Sequence, residues 1–346
     1  MSLCFCLLMV RLLSLNIRGV CVMERIKGVL GERCDILCLQ EVHWENETRV
    51  QAEKLWGGSA FYAEGPRRTA GVAVFVRGGV FDNVTLREVD PAGRFLMVDL
   101  EWAGKQLRLI SIYASNDQVE RQSFFHSLRP FLNDFSLLVG DFNTVLSPAD
   151  LSVRNVFRND VGRKELFSIM SDYGIIDVWR VLNHGKRDFS KRQLVKGVLK
   201  QSRTDHVISA CSVTRLINGV TYIPHAWSDH AWVEVVFDGV KVRNGGGMWI
   251  LNNSVLGEIG YQKRIKSLLS YHREQMDDAV DIFVWWEDLK TKIKSSTITY
   301  CKKRTWDTRE DERDVRAVLK REASLLAEDP NRDAMIYSAA LSFEAI

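Results

Sequence analysis

The 346-residue sequence predicts an α+β fold, with helices layered on sheets, followed by a helical tail. Short apolar runs at 10–15, 35–39, 71–76, 95–100, 107–113, 135–139, 205–209 and 231–237 are rich in Val, Ile or aromatic residues. Gly, Asn or Asp flanks them, as expected of strands. Helical stretches near 23–33, 46–56, 117–132 and 163–172 separate the runs. Between 59 and 113 extended runs crowd together with few helices, which favours antiparallel neighbours over strict strand–helix alternation. No internal repeat is present.

The first run, 10–15, follows an apolar start, Leu3-Cys-Phe-Cys-Leu-Leu-Met-Val. A signal peptide would begin this way, but Arg11 interrupts the run and no small-residue cleavage site follows. A buried first strand with a few extra leading residues is the better reading. No stretch approaches the roughly 20 apolar residues of a membrane span. Seven cysteines, an odd number with no C-x-x-C pairs, indicate free thiols in a reducing compartment rather than disulfides or a zinc module. With 46% hydrophobic and 26% charged residues the chain is ordinary globular material, and a net charge of +3 leaves any nucleic-acid footprint to local clusters.

The organisation divides into a globular domain over 1–240, a Gly-rich linker over 241–247 that includes Gly245-Gly246-Gly247, and a tail over 248–346. Residues 255–271, 279–300, 310–327 and 332–344 read as tail helices, nearly neutral overall. Lys290, Lys292, Lys294, Lys302, Lys303 and Arg304 fit a solvated helix face as well as a nucleic-acid contact, and Trp285 and Trp286 fit packing better than stacking. The tail stops in mid-pattern, as part of something longer would.

Polar groups sit at the ends of the apolar runs. Leu12-Leu-Ser-Leu leads to Asn16, Ile36-Leu-Cys-Leu-Gln to Glu41, Leu109-Ile-Ser-Ile to Tyr113, and Leu137-Leu-Val-Gly to Asp141-Phe-Asn143. Ser202-Arg-Thr-Asp205 opens one strand and Ser228-Asp229-His230 opens the last. One carboxylate ending a strand is common; six strands delivering Asn, Asp, Glu, Tyr or His are not. Phosphodiester hydrolysis needs these residue types. Carboxylate oxygens such as Glu41 suit Mg²⁺, with Mn²⁺ as a substitute, and the metal offsets phosphate charge. Asp141 can orient or deprotonate the attacking water. His230, held by Asp205, can present N–H to the phosphoryl oxygens, while Asn16, Asn143 and Tyr113 complete a neutral cradle. The other histidines show no ligand spacing.

In that order, these motifs resemble those of the endonuclease/exonuclease/phosphatase superfamily, which includes deoxyribonuclease I and abasic-site endonucleases. They span nearly all of the first 240 residues. The resemblance implies a four-layer αββα sandwich with its site at one end of two packed sheets. It implies Glu41 at the metal assisted by Asn16, Asp141 on the water, Asn143 and Tyr113 on the phosphate, and Asp205 orienting His230 with Asp229 beside them. Gly-Asp-Phe-Asn-Thr144 with Leu146-Ser147 is most similar to the endonucleases of LINE-type non-LTR retrotransposons. Repair enzymes more often carry Leu in place of Phe142 and an acid two residues after the first Asn, where this chain has Arg18. Trp249-Ile-Leu-Asn252 and Trp285-Trp286-Glu resemble the linker before a reverse transcriptase, so the chain reads as a truncated or domesticated copy.

Residues 178–204 hold eight basic side chains against one acid, Asp188. Arg187, Lys191, Arg192, Lys196, Lys200 and Arg203 are the candidate contacts to double-stranded DNA, as a basic flap tracking phosphates. By resemblance this loop meets the minor groove, where width and deformability are read. The leading expectation is an Mg²⁺-dependent, intracellular, nuclear endonuclease nicking target DNA as in LINE retrotransposition, with element RNA as a second partner. The alternatives are an abasic-site repair endonuclease and a silent nucleic-acid-binding remnant.

Overall fold

The computed structural model describes residues 5–66, 70–195, 198–238, 240–243, 253–275 and 281–328. In chain order these form β1 (Phe5–Leu8), β2 (Arg11–Asn16), α1 (Met23–Leu30), β3 (Ile36–Gln40), α2 (Asn46–Trp56), β4 (Gly58–Glu64), β5 (Gly71–Arg77), β6 (Asn83–Val89), β7 (Phe95–Trp102) and β8 (Lys105–Tyr113). There follow α3 (Gln118–Ser127), β9 (Ser136–Asp141), α4 (Val161–Tyr173), β10 (Ile175–Asp177), α5 (Val178–Leu182), β11 (Lys191–Val195), β12 (Val198–Ser202), β13 (Asp205–Ala210) and α6 (Cys211–Thr214). The last are β14 (Ile217–Ile223), β15 (Trp232–Phe237), β16 (Val240–Arg243), α7 (Ile259–Glu274) and α8 (Ile282–Glu328).

Two six-stranded sheets, β14-β15-β2-β3-β5-β4 and β10-β13-β9-β8-β7-β6, stack face to face. The pairs expected to be antiparallel over 59–113, β4–β5, β6–β7 and β7–β8, are so. Alternation along each strand assigns its residues to two cores. In β2, Leu12 faces the opposite sheet while Leu13 and Leu15 face α1 and α2 with Ile26, Val29, Leu30 and Trp56. In β9, Leu137 and Val139 face inward while Leu138 packs with Phe125 of α3 and Leu166 and Ile169 of α4. The result is helix, sheet, sheet, helix: the αββα sandwich. Each of these fully buried leucines is worth about 2–5 kcal/mol against truncation to Ala.

Local chemistry fixes the outer helices. Asp117 caps α3 by accepting from the N–H groups of Val119 and Glu120, and Asp160 caps α4 by accepting from Arg163 N–H. Gly174, in left-handed backbone, ends α4. The helix expected over 117–132 stops at Ser127 and finishes as a 3-10 turn at Arg129–Phe131, where Pro130 breaks the α-helical bonding. Strand β14, interrupted by Gly219, has no counterpart among the expected runs.

The chain divides into compact units after Arg243, the second running from Asn244 to Ala317. Inside that unit α7 packs on the first part of α8: Tyr261 meets Thr297 Oγ1 at 2.8 Å, and Arg264 Nε donates to Ser296 Oγ at 2.8 Å. Trp285 Nε1 donates to the His272 carbonyl at 3.2 Å, a packing role. Lys290 and Lys292 pair with Glu287 and Asp288, as on a solvated face. The two helices expected over 279–300 and 310–327 are one helix, because 301–309 contains neither Gly nor Pro to stop it. The helix expected over 332–344 and the Gly245–Gly247 joint lie outside the described residues. Among the described residues Cys21, Cys34, Cys38, Cys211 and Cys301 are free thiols, and no helix is long and apolar enough to cross a membrane.

Candidate active site

Strand direction and alternation together place the polar groups at one end of the sandwich. β2 runs parallel to β3 and β8 parallel to β9, so Asn16, Glu41, Tyr113 and Asp141 all sit at carboxyl ends. β13 runs antiparallel to β9, which puts its first residue, Asp205, opposite Asp141. Counting back by twos from Asn16, Tyr113 and Asp141 reaches inward-facing Leu12, Leu109 and Leu137. The catalytic candidates are therefore the outermost members of the inner faces. A polar layer lies just beneath them, where Gln40 Nε2 donates to Ser14 Oγ at 3.0 Å and to Ser111 Oγ at 3.4 Å.

The turns that follow are locally strained. Glu41, Asn143 and Arg18 adopt left-handed backbone, with φ of 55°, 48° and 50°. Gly140 is required where it stands: at φ +135°, a Cβ would lie 2.1 Å from the Ile112 carbonyl oxygen of the neighbouring strand. Phe142, fully buried, packs against Phe125 and His206 and anchors the turn, which frees Asn143 N–H to donate to Asp141 Oδ1 at 2.9 Å. Thr144 Oγ1 and Arg121 both bond the Asp160 carboxylate, tying this turn to α3 and α4.

Asn16 Nδ2 donates to Glu41 Oε1 at 2.9 Å and to Asp141 Oδ2 at 3.1 Å. His230 Nδ1 bonds the Asp205 carboxylate at 2.8 Å, and its Nε2 lies 3.7 Å from Asp141 Oδ2. Ser190, which no sequence pattern singled out, donates to Asp205 Oδ2 at 2.6 Å and accepts from the Asp205 and Thr204 N–H groups at 3.0 Å. Tyr222 OH donates to the Asp205 carbonyl at 2.8 Å. Ser228 Oγ donates to the Asn16 carbonyl at 2.7 Å, joining the last motif to the first.

These contacts set the charges. Burial lowers the proton affinity of His230, but Asp205 and then Asp141 more than restore it, to a pKa of about 9. Burial, then the Asp205 charge, raises Asp141 to about 6 against the pull of His230 and Lys191. Burial, followed by the charge of Glu41, pushes the Tyr113 hydroxyl above the ordinary tyrosine range, so it is a neutral donor. Arg94 stacks over the Tyr113 ring at 5.2 Å.

Two groupings could hold a cation. Ligand atoms of Asp141, Asp205 and His230 lie within 4.8 Å of one another. That cluster reads better as a hydrogen-bonded triad, since Ser190, Thr204 and His230 already engage the Asp205 carboxylate. Glu41 and Asp141, two carboxylates sharing one amide donor, offer the hard oxygen set that Mg²⁺ prefers, and the donor chemistry fits that ion.

The basic stretch separates into parts. Arg203 is fully buried, bonding Asp150 at 2.8 Å and Asp177 at 2.6 and 3.1 Å, so its expected DNA contact is corrected to a structural one. Arg192 is likewise buried, and its guanidinium lies 3.3 Å from Asp188, which removes it from the DNA-facing set. Arg187 and Lys200 are exposed. Lys200 lines an open groove of about 650 Å³ that starts at Asn143 and Thr204 and takes in Asn116, Arg154 and Asn155. Lys191 is half-buried beside His230, and Lys196 lies outside the described residues. Asp229 lies beside the triad rather than in it: Gln193 Nε2 donates to its Oδ2 at 2.6 Å and Arg18 Nε stands 3.4 Å from its Oδ1. Arg18 thus pairs with Asp229. Ser190 and Gln193 precede and follow a basic pair in the sequence, which hid them.

Similar proteins share this architecture. An abasic-site endonuclease from Leishmania major superposes with a TM-score of 0.56 at 16% identity, covering 66% of this chain and 88% of that one. A 3′ phosphatase from Neisseria, solved with a product DNA hairpin, gives 0.55 at 22% identity over 66% and 99% of the two chains. An abasic-site endonuclease from Archaeoglobus fulgidus gives 0.54 at 19% over 66% and 99%. The "Transposon TX1 uncharacterized 149 kDa protein" of Xenopus laevis is 24% identical over 269 residues, 76% of this chain. The chain spans 20% of that relative's length. Residues 13–233 match the Endonuclease/Exonuclease/phosphatase family, and the chain belongs to that family.

Proposed function

We propose that this protein is a metal-dependent DNA endonuclease that hydrolyses phosphodiester bonds, nicking one strand of a duplex as in LINE retrotransposition. The observation that carries the reading is the pairing of Asn16-linked carboxylates, Glu41 and Asp141, with a buried Asp205–His230 dyad facing them. Likeness to a transposon protein supports the retrotransposon setting, and a DNA substrate would place its work in the nucleus.

Glu41, assisted by Asn16, would hold Mg²⁺, or Mn²⁺ in its place, which would supply Lewis-acid neutralisation of the phosphate. Asp141, held by Asn16 at the end of β9, would orient the attacking water and take its proton. The water oxygen bonds to phosphorus as the P–O3′ bond breaks, leaving a 3′-hydroxyl and a 5′-phosphate. His230, protonated through Asp205, presents Nε2–H to a phosphoryl oxygen as charge builds there. Tyr113 and Asn143 donate to the same phosphate. The groove lined by Asn116, Arg154 and Lys200 would carry the adjoining strand.

The test is relaxation of supercoiled plasmid with Mg²⁺, comparing wild type with Glu41→Ala, Asp141→Ala and His230→Ala. Wild type should give open circles whose nicks a ligase can seal, and each variant should lose about 10²-fold or more. Nicking that survives all three replacements would refute the reading.

A further inference from the structure

The short segment 190–192 pairs antiparallel with 229–231. Arg192 N–H donates to the Asp229 carbonyl at 2.8 Å and Ala231 N–H to the Ser190 carbonyl at 2.7 Å, with Lys191 directly opposite His230. Bonds on both sides of the pair but none between its members make it a non-hydrogen-bonded pair, the closer kind, with Cα atoms about 4.5 Å apart. Opposed residues in such a pair send their side chains to the same face. The His230 side chain on that face reaches Asp205 at 2.8 Å and stands 3.7 Å from Asp141.

Lys191 therefore extends four methylenes from a point beside the His230 ring. The residue remains half-exposed. Among the described residues no carboxylate forms an ion pair with it. Because Lys191 stands opposite His230 in the antiparallel pair, it leaves the strand on the face that carries the triad. This differs from the other cations of the stretch. Arg203 is committed to the buried carboxylates of Asp150 and Asp177, Arg192 pairs with Asp188, and Lys200 lines the groove.

We propose that Lys191 is a further catalytic residue, its ammonium bonding a non-bridging oxygen of the scissile phosphate as the transition state forms. The inference rests on the phosphodiester-hydrolysing reading above. When the water oxygen attacks phosphorus, its proton passes to Asp141, the P–O3′ bond breaks, and O3′ takes a proton from solvent. Negative charge grows on the non-bridging oxygens during that exchange. Lys191 and His230 then address the phosphate from adjacent positions, one through its ammonium and the other through Nε2–H. An ammonium there is worth more in the transition state than in the ground state, because the charge it meets increases.

The experiment is steady-state nicking of a defined duplex by the full chain with Mg²⁺, for wild type, Lys191→Met and Lys191→Arg. Melting temperatures are taken alongside. Lys191→Met should lower kcat by about 10²-fold while KM changes less than about threefold, and Lys191→Arg should recover part of the loss. A raised KM with kcat intact would overturn the proposal and make Lys191 a DNA grip, and unchanged kinetics would overturn it outright. Should the Met variant fail to fold, Lys191→Gln, a shorter neutral polar side chain, is read by the same criteria. A folded wild type that does not nick refutes the underlying reading and the inference with it. An active wild type matched by Lys191→Met refutes only the inference.

Discussion

One amide nitrogen, Asn16 Nδ2, bonds both Glu41, at 2.9 Å, and Asp141, at 3.1 Å. Two carboxylates from different sheets are thereby held in register by a neutral donor. Asn16→Ala should cost about 10–100-fold in nicking and weaken the Mg²⁺ requirement curve in proportion, as loss of an orienting partner does. Asn16→Asp should be worse, since it adds a third negative charge to the cluster. A Mg²⁺ titration of plasmid nicking measures both, and an Asn16→Ala curve that overlays wild type would rule the linkage out.

His230 owes its protonated state to Asp205. In metal-free protein its imidazole should titrate near pH 9, above its ordinary value of 6.5. The sign is that of a group whose pKa rises on folding: its stabilisation is complete below pH 6.5 and is lost as pH climbs through 9. Asp205→Asn should move the titration downward and reduce nicking by about 10²–10⁴-fold. NMR of the His230 ring decides it, because an unmoved titration in Asp205→Asn would mean another group holds the proton.

Arg203 bridges Asp150 and Asp177 in the interior, so it belongs to stability rather than to DNA. Arg203→Ala should destabilise by about 3–5 kcal/mol, visible as a lowered melting temperature. Lys200→Ala should instead leave the melting temperature in place and reduce the salt dependence of DNA binding by about one unit of slope. Burial alone would raise the Asp150 carboxyl, but Arg203 pulls it down to about 2, so its contribution is present above pH 3.8 and fades as pH falls through 2. Acid unfolding of Arg203→Ala should accordingly begin at higher pH than in wild type.

Gly140 touches the next strand too closely for any side chain. Gly140→Ala should force β9 away from β8, destabilising the fold by more than about 1 kcal/mol and displacing Asp141. Thermal melting together with nicking per folded molecule checks this. A variant as stable as wild type would show that the strand pair can yield.

The layered sheets and the set of polar strand ends were legible because period-two alternation states which residue of each strand faces inward, and the candidate groups end those inward faces. Asn16, Tyr113, Asp141 and Asp205 follow directly from Leu12, Leu109, Leu137 and Val207. Ser190 was not legible, since nothing in Asp188-Phe-Ser-Lys indicates that its hydroxyl would meet Asp205. Nor could charge counting separate Arg203 and Arg192 from Lys200: which cations turn inward depends on Asp150, Asp177 and Asp188, and for Arg203 the partners lie 53 and 26 residues away. The continuous α8 was missed because 301–309 is polar and unpatterned, yet it contains no Gly or Pro to interrupt a helix.

The bond from Ser228 to Asn16 joins positions 212 residues apart, and β15 completes the sheet by pairing with β2. No amino-terminal fragment can own this site. A chain emerging from the ribosome must release its β15 residues before the first motif acquires its final neighbours. The order of the strands thus acts as a latch: the candidate site closes only once the whole domain has been made.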